Sequence, residues 1–406
     1  MLMSLSVIML CGLFFGWVCK KMSFPSLFGM IIAGVIIGPH VLNLIDHSIL
    51  DISSDIRRIA LIVILIRAGL KLNIKDLKKM GRPAVLMCFV PACFEILGMI
   101  MLAPHLLGLS IIDSAIMGAV IGAVSPAVIV PRMIKLIDEG YGIDKGIPQM
   151  ILAGASVDDV FVIVMFTTFT GLAQGGKLSI MSFVNIPISV VSGILVGMLL
   201  GTVLLKWFEI KSMQNVTRII IISGIAFALS TFETTFTSIP FASLIAIMCI
   251  GTAIKRGNDK LANKLSAFYD KIWVISEIFL FVLLGASIAV KSALSAGVTV
   301  VILLAGVMLF RMAGVFLCTI ATKLTIKERL FCMIAYTPKA TVQAAIGGLP
   351  LAMGLPCGQI ILTVSVISIL LTAPLGAFGI DLTYRKLLSR GQGQSIAVHS
   401  DAGDKQ

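Results

Sequence analysis

Long apolar runs alternate with short polar connections from one end of the chain to the other. A helix rising 1.5 Å per residue needs about 20 apolar residues to cross the ~30 Å hydrocarbon core of a bilayer. Read between charged or Gly/Pro-marked turns, the runs predict thirteen helical spans: 1–19, 24–44, 51–70, 83–107, 110–131, 147–172, 179–205, 216–232, 238–254, 272–290, 293–322, 328–348 and 357–380. The pattern therefore predicts an all-α polytopic membrane protein of about 13 transmembrane helices. Arg57, Arg58 and Arg67 interrupt the third span, which should be shielded by other helices from lipid.

Composition removes the competing classes. Of 406 residues, 58% are hydrophobic and 13% charged, and the mean hydropathy is +1.07. A soluble domain carries about 25% charged residues. The net charge of +12 is spaced between apolar runs rather than gathered in polar sequence, which excludes a basic nucleic-acid-binding segment. It serves instead as an orientation signal. Twenty-five of the 32 Lys and Arg fall in alternate connections on one side, including Lys75, Lys78 and Lys79. The opposite connections hold Lys177 and Lys291, with Arg57 and Arg58 near a span entrance. By the positive-inside rule the N-terminus is outside and the C-terminus cytoplasmic, in a multi-pass protein of the cell membrane. The eight cysteines form no CxxC pair and read as small buried hydrophobes. The first run, which ends in Lys20 and Lys21, is expected to be a retained span rather than a cleaved signal.

Charges that lipid should exclude are more informative. Glu95, Asp158, Asp159, Arg311 and Lys339 fall near the middle of their spans at about one depth, and Glu277 lies nearer the cytoplasmic end of its own. Each costs at least about 2.5 kcal/mol at the centre of a lipid-facing helix, so such residues face the protein interior, a partner or a water-filled path. Together with Arg67, these charges are one positive charge short of neutral. Asp158 and Asp159 point about 100° apart on a helix, and Arg311 with Lys339 cannot neutralise both as well as Glu95. One carboxylate is left for a cation or proton.

Two spans also carry backbone breaks. Span 5 contains GAVSPAVIVP, with Ser125, Pro126 and Pro131, and span 12 contains YTPKATVQAAIGG, with Thr337 and Pro338. Proline removes an amide donor and frees carbonyls that a membrane tolerates only when they are buried or line a cavity. The two spans run in opposite directions, the pattern of an inverted-repeat transporter with two crossed, interrupted helices. Crossing would bring two positive and two negative helix ends into the bilayer, balanced by Asp158 or Asp159 at the former and by Lys339 at the latter. A single proline is more often a simple kink, and Glu95 with Arg311 is also readable as a structural ion pair.

The segment from Gly122 to Ile163, ending in ASVDDVFVI, and ERLFCMIAYTPKATVQAAIGG from Glu328 to Gly348 resemble the NHA-type sodium/proton antiporters. That family is the double-Asp branch of the monovalent cation/proton antiporter superfamily. The similarity extends over nearly the whole chain and includes IRRIALIVILIRAGL. It implies an NhaA-like antiporter fold and a homodimer. Residues 1–72 and 216–290 would form a dimerisation domain, 83–172 and 293–384 the two repeats of the ion-transport core, and 179–207 the linker helix. Residues 385–406 would be a disordered cytoplasmic tail. Carried over by position, the ion-binding aspartates fall on Asp158 and Asp159, the interrupted-helix position on Ser125 and Pro126, the second-crossing lysine on Lys339, and the core ion pair on Glu95 and Arg311. Many relatives have lysine where this chain has Arg311. A buried lysine can release its proton, whereas arginine is a fixed charge that does not, so it and the double-Asp motif pull the expected stoichiometry in opposite directions.

The function this implies is exchange of Na⁺ or Li⁺ for H⁺ by alternating access, with no cofactor and no catalytic residue. Asp158, Asp159 and Ser125 would supply hard oxygen ligands suited to a small cation. K⁺/H⁺ exchange fits the same scaffold. Sodium-coupled organic-anion symport lacks a further midplane polar cluster, and a transport-inactive sensor fits the intact charged set poorly. An intramembrane aspartyl protease needs its two aspartates on different helices, whereas these are consecutive.

Overall fold

The computed structural model describes residues 1–391 apart from Ser23, 73–80, 175–179, Ser212, 237–238, Pro240 and Ala289. Lys75, Lys78 and Lys79, Lys177, and residues 392–406 of the predicted tail, including Lys405, lie outside the described residues. The first part of that predicted tail, 385–391, is ordered, with helix continuing to Leu387 and Gly391 N donating to the Gly140 carbonyl at 2.8 Å.

The described chain is almost wholly helical. The helices are α1 (Leu2–Lys21), α2 (Ser26–Ile37), α3 (His47–Asp51), α4 (Ser53–Lys71), α5 (Gly81–Met87), α6 (Val90–Leu107), α7 (Ile111–Ile121), α8 (Pro126–Glu139) and α9 (Ile147–Gln174). They continue with α10 (Ile180–Ile210), α11 (Asn215–Thr235), α12 (Ser243–Gly257), α13 (Asp259–Ala286), α14 (Val290–Thr319), α15 (Ile326–Ala335), α16 (Thr341–Ile346), α17 (Leu349–Ala352) and α18 (Gly358–Leu387). Each predicted span contains helix. A membrane requires this, because every backbone group crossing hydrocarbon must find its partner within the protein. Among the described residues, eight segments are long and apolar enough to cross a membrane unaided, and the protein is a multi-pass membrane protein.

Several segments differ from their predicted bounds, and the last runs on to Leu387 rather than ending at 380. The second span is helical only over the 12 residues of α2. The tenth begins at Asp259, with Asn258 capping its first turn through Leu261 N, rather than at 272. The charged residues there are spaced along a helix that buries Leu261, Ala262, Leu265 and Tyr269 on one face, a periodicity that an apolar-run search overlooks. The fourth span is broken between Met87 and Val90. Pro91 has no N–H to give the Met87 carbonyl one turn earlier, and the Tyr336 hydroxyl donates to that carbonyl instead at 3.0 Å.

The helices pack as two groups. In one, α4, α12 and α13 lie together, with α2 against α13, α1 against α2 and α13, and α10 along α12. Backbones there approach closely: a Cβ on Gly34 would strike the Val282 carbonyl, and one on Gly285 would strike that of Ile31. The other group joins α6 to α7 and α14, α7 to α9, α8 to α9, and α15 to α18. Each half of this group is three consecutive spans whose middle one, α7–α8 or α15–α16, is interrupted. The short α16 reaches from it to α4 and α13.

Candidate functional site

Both broken helices open in the interior. In the first, α7 ends at Ile121, and residues 122–125 are not helical before Pro126 starts α8. Pro126 occupies the first helical position, where its missing N–H costs nothing. Pro131 lies inside α8 without ending it. In the second, α15 ends at Ala335, and residues 337–340 are not helical before Thr341 opens α16. Pro338 has no N–H to give the Ile334 carbonyl one turn earlier, and Thr337 donates to it instead, through its backbone N at 3.2 Å and its hydroxyl at 2.8 Å.

Buried backbone groups left by such breaks must be satisfied, and here they bind one another and the charged residues. Ser125 N donates to the Pro338 carbonyl at 2.8 Å, joining the two breaks directly. Val124 N donates to Asp158 Oδ2 at 2.8 Å. Lys339 N donates to Thr372 Oγ1 at 3.0 Å. The Ile121 and Ala123 carbonyls accept from Gln343 Nε2 at 3.0 and 2.8 Å, and the Gly122 carbonyl accepts from Arg311.

The five charged residues singled out in the middle of their spans converge on this crossing. Arg311, on α14, donates through Nη1 to Glu95 Oε2 at 2.6 Å, through Nη2 to Asp158 Oδ2 at 3.0 Å, and through Nε to the Tyr336 carbonyl at 2.6 Å. Its guanidinium also lies 5.2 Å from the Tyr336 ring centroid. Lys339 Nζ donates to the same Glu95 oxygen at 2.5 Å. Arg311, Lys339 and Asp158 are 0% exposed and Glu95 is 1% exposed. Glu95 and Arg311 are thus a pair within a larger network. The carbonyl end of α7 is met by Arg311 and Gln343, while the Lys339 ammonium goes to Glu95.

Asp159 differs from its neighbour. It is 9% exposed, makes no salt bridge among the described residues, and its Oδ1 has no hydrogen-bond partner. The consecutive positions explain the division: the ~100° turn between them aims Asp158 at Arg311 and Val124 and leaves Asp159 outside that network. Ser125 Oγ and Asp158 Oδ1 are also buried without a partner. Three carboxylates therefore face two cations. Arg67 pairs with Asp270, which the early start of α13 brings into that helix, and Lys71 Nζ joins at 2.8 Å.

Tyr336 and Gln343 carry no formal charge and so do not stand out among the residues that lipid excludes. Both lie in the quoted span 12 motif. A long amide side chain in an otherwise small, apolar run was the available signal for Gln343.

A family described as sodium/hydrogen exchanger, transmembrane, matches residues 5–385. The chain belongs to the sodium/hydrogen exchanger family. This exchanger is 32% identical over 386 residues to sodium/hydrogen exchanger 9B2 of Homo sapiens, covering 91% of this chain and 71% of that one. It is 30% identical over 385 residues to sodium/hydrogen exchanger 9B1 of Homo sapiens, covering 90% of this chain and 73% of that one. Its fold resembles the sodium proton antiporter MjNhaP1 from Methanocaldococcus jannaschii, with a TM-score of 0.82 at 21% sequence identity over 94% of this chain and 97% of that one.

Proposed function

We propose that the protein exchanges Na⁺ or Li⁺ for H⁺, with cation and proton competing for Asp159. The observation that carries this reading is the buried Asp159 carboxylate left without a cation beside a network in which Arg311 and Lys339 are already engaged. Its oxygens, with the unpartnered Asp158 Oδ1 and Ser125 Oγ, are the hard ligands a small cation takes. An uncompensated charge is costly to carry through a low-dielectric barrier. A site neutralised by either ligand moves more readily than an empty, negative one, and that difference converts competition into exchange. The crossed breaks suit alternating access, in which the group holding the site moves against the group built on α4, α12 and α13.

The same reading makes residues 83–172 and 293–384 the transport core and assigns 1–72 and 216–290 to a homodimer interface. The cytoplasmic side is the one rich in Lys and Arg. The deciding experiment measures Na⁺-, Li⁺- and K⁺-induced proton flux in proteoliposomes for the wild type and Asp159→Asn. Flux with Na⁺ or Li⁺ that vanishes in the variant supports the assignment. Flux equal to wild type sinks it, and a preference for K⁺ turns the reading to K⁺/H⁺ exchange.

A further inference from the structure

Gln343 is fully buried on α16 and carries no charge, yet it spans the crossing. Its amide nitrogen has two protons and gives both to the first broken helix, at Ile121 O and Ala123 O. The carbonyl between them, Gly122 O, is held by Arg311. Three consecutive backbone oxygens at the break are thereby engaged by protein donors. Nearby groups are not so engaged: Ser125 Oγ, Asp158 Oδ1 and Asp159 Oδ1 are buried without partners.

This division bears on which cation is preferred. Rings of backbone carbonyls, with modest field strength, replace the hydration shell of K⁺ in channels, and both the number and the field strength of the ligands set preference. A carboxylate shares a full negative charge between its two oxygens, which bind small, hard cations strongly. A break whose carbonyls were free would offer a cation several weak ligands. With those carbonyls bonded, the carboxylates and the serine hydroxyl dominate.

We propose that Gln343 is a positioning residue for ion selectivity: by holding the Ile121 and Ala123 carbonyls it keeps backbone oxygens out of the cation's coordination shell and biases the site toward Na⁺ and Li⁺ over K⁺. This rests on the exchange function proposed above. The residue acts through the carbonyls and touches no ion itself. Its own Oε1 has no partner among the described residues, and the carbonyls of the break have no proton to offer it. A residue that merely fastened α16 to α7 would influence stability and leave ion preference alone.

The test compares full-length wild type, Gln343→Leu and Gln343→Asn in proteoliposomes. Half-saturating concentrations and maximal rates are measured for Na⁺, Li⁺ and K⁺, with thermal unfolding followed in parallel. Leucine removes both donors, and asparagine is one methylene too short to reach both carbonyls. The K⁺/Na⁺ ratio of half-saturating concentrations is expected to fall about tenfold in both, the worth of roughly one hydrogen bond. Gln343→His, which keeps a single ring donor, should fall between them and the wild type; it supplies the ratio if the leucine variant does not accumulate folded. An unchanged ratio in the folded variants, whatever their stability, overturns the proposal. Absence of Na⁺/H⁺ exchange in the wild type is a different outcome: it overturns the exchange function, and the selectivity role falls with it.

Discussion

The Ser125 amide donates to the Pro338 carbonyl at 2.8 Å, so the two broken helices are joined backbone to backbone where each is interrupted. Proline makes this possible on both sides. Pro126 lets α8 start immediately after Ser125, and Pro338 cannot extend α15. The crossing is fixed by main chain, and the side chains of Glu95, Asp158, Arg311, Lys339 and Gln343 are arranged around it.

Asp158 and Asp159 are expected to separate in stability even if both are needed for flux. Asp158→Asn removes the charge that Arg311 and Val124 N share, and a hydrogen bond to a charged group is worth about 1.5–3 kcal/mol. Asp159→Asn removes a buried charge with no cationic partner, so its unfolding temperature should equal or exceed that of the wild type. Thermal unfolding of purified protein in detergent checks the order; equal losses in the two variants would contradict the assigned pairing.

Arg311 should matter more than Lys339. Arg311→Ala leaves Asp158 without a cation and Glu95 with Lys339 alone, and breaking a buried pair costs about 3–5 kcal/mol. Lys339→Gln leaves Glu95 its 2.6 Å contact with Arg311 and should cost less. Arg311→Lys keeps the charge without the fork and should fall between wild type and Arg311→Ala. The ranking can be read from folded yield and unfolding temperature.

Tyr336→Phe tests the break between α5 and α6. It leaves the buried Met87 carbonyl without its 3.0 Å donor, at a cost of about 1–3 kcal/mol, while retaining the ring beneath Arg311. Unfolding equal to wild type would show that the Met87 carbonyl finds another donor.

Glycine substitutions separate close packing from open helix surface. Gly34→Ala places a methyl group against the Val282 carbonyl across the α2–α13 contact and should destabilise markedly. Gly224→Ala, where a Cβ meets nothing within 4 Å, should be neutral or stabilise by up to about 1 kcal/mol through helix propensity. Melting curves of the two variants measured side by side provide the comparison.

The sequence alone determined the membrane class, the approximate place of each helical segment, the two breaks and the five buried charges. Those features are written locally: an apolar run must be helical in lipid, Pro126 and Pro338 cannot continue the helices before them, and a charge amid apolar residues must face inward. The start of α13 is not legible as an apolar run, because its first turns bury a stripe of residues between charged ones. Only the tertiary structure decided which charges meet. Asp158 and Asp159 are chemically identical neighbours, and the direction each takes depends on how α9 is rotated against α14. Gln343 reaches Ile121 and Ala123 only because two helices remote in sequence cross at their breaks. Partner choice in the core depends on relative orientation at ångström scale, which is set by packing over the whole bundle.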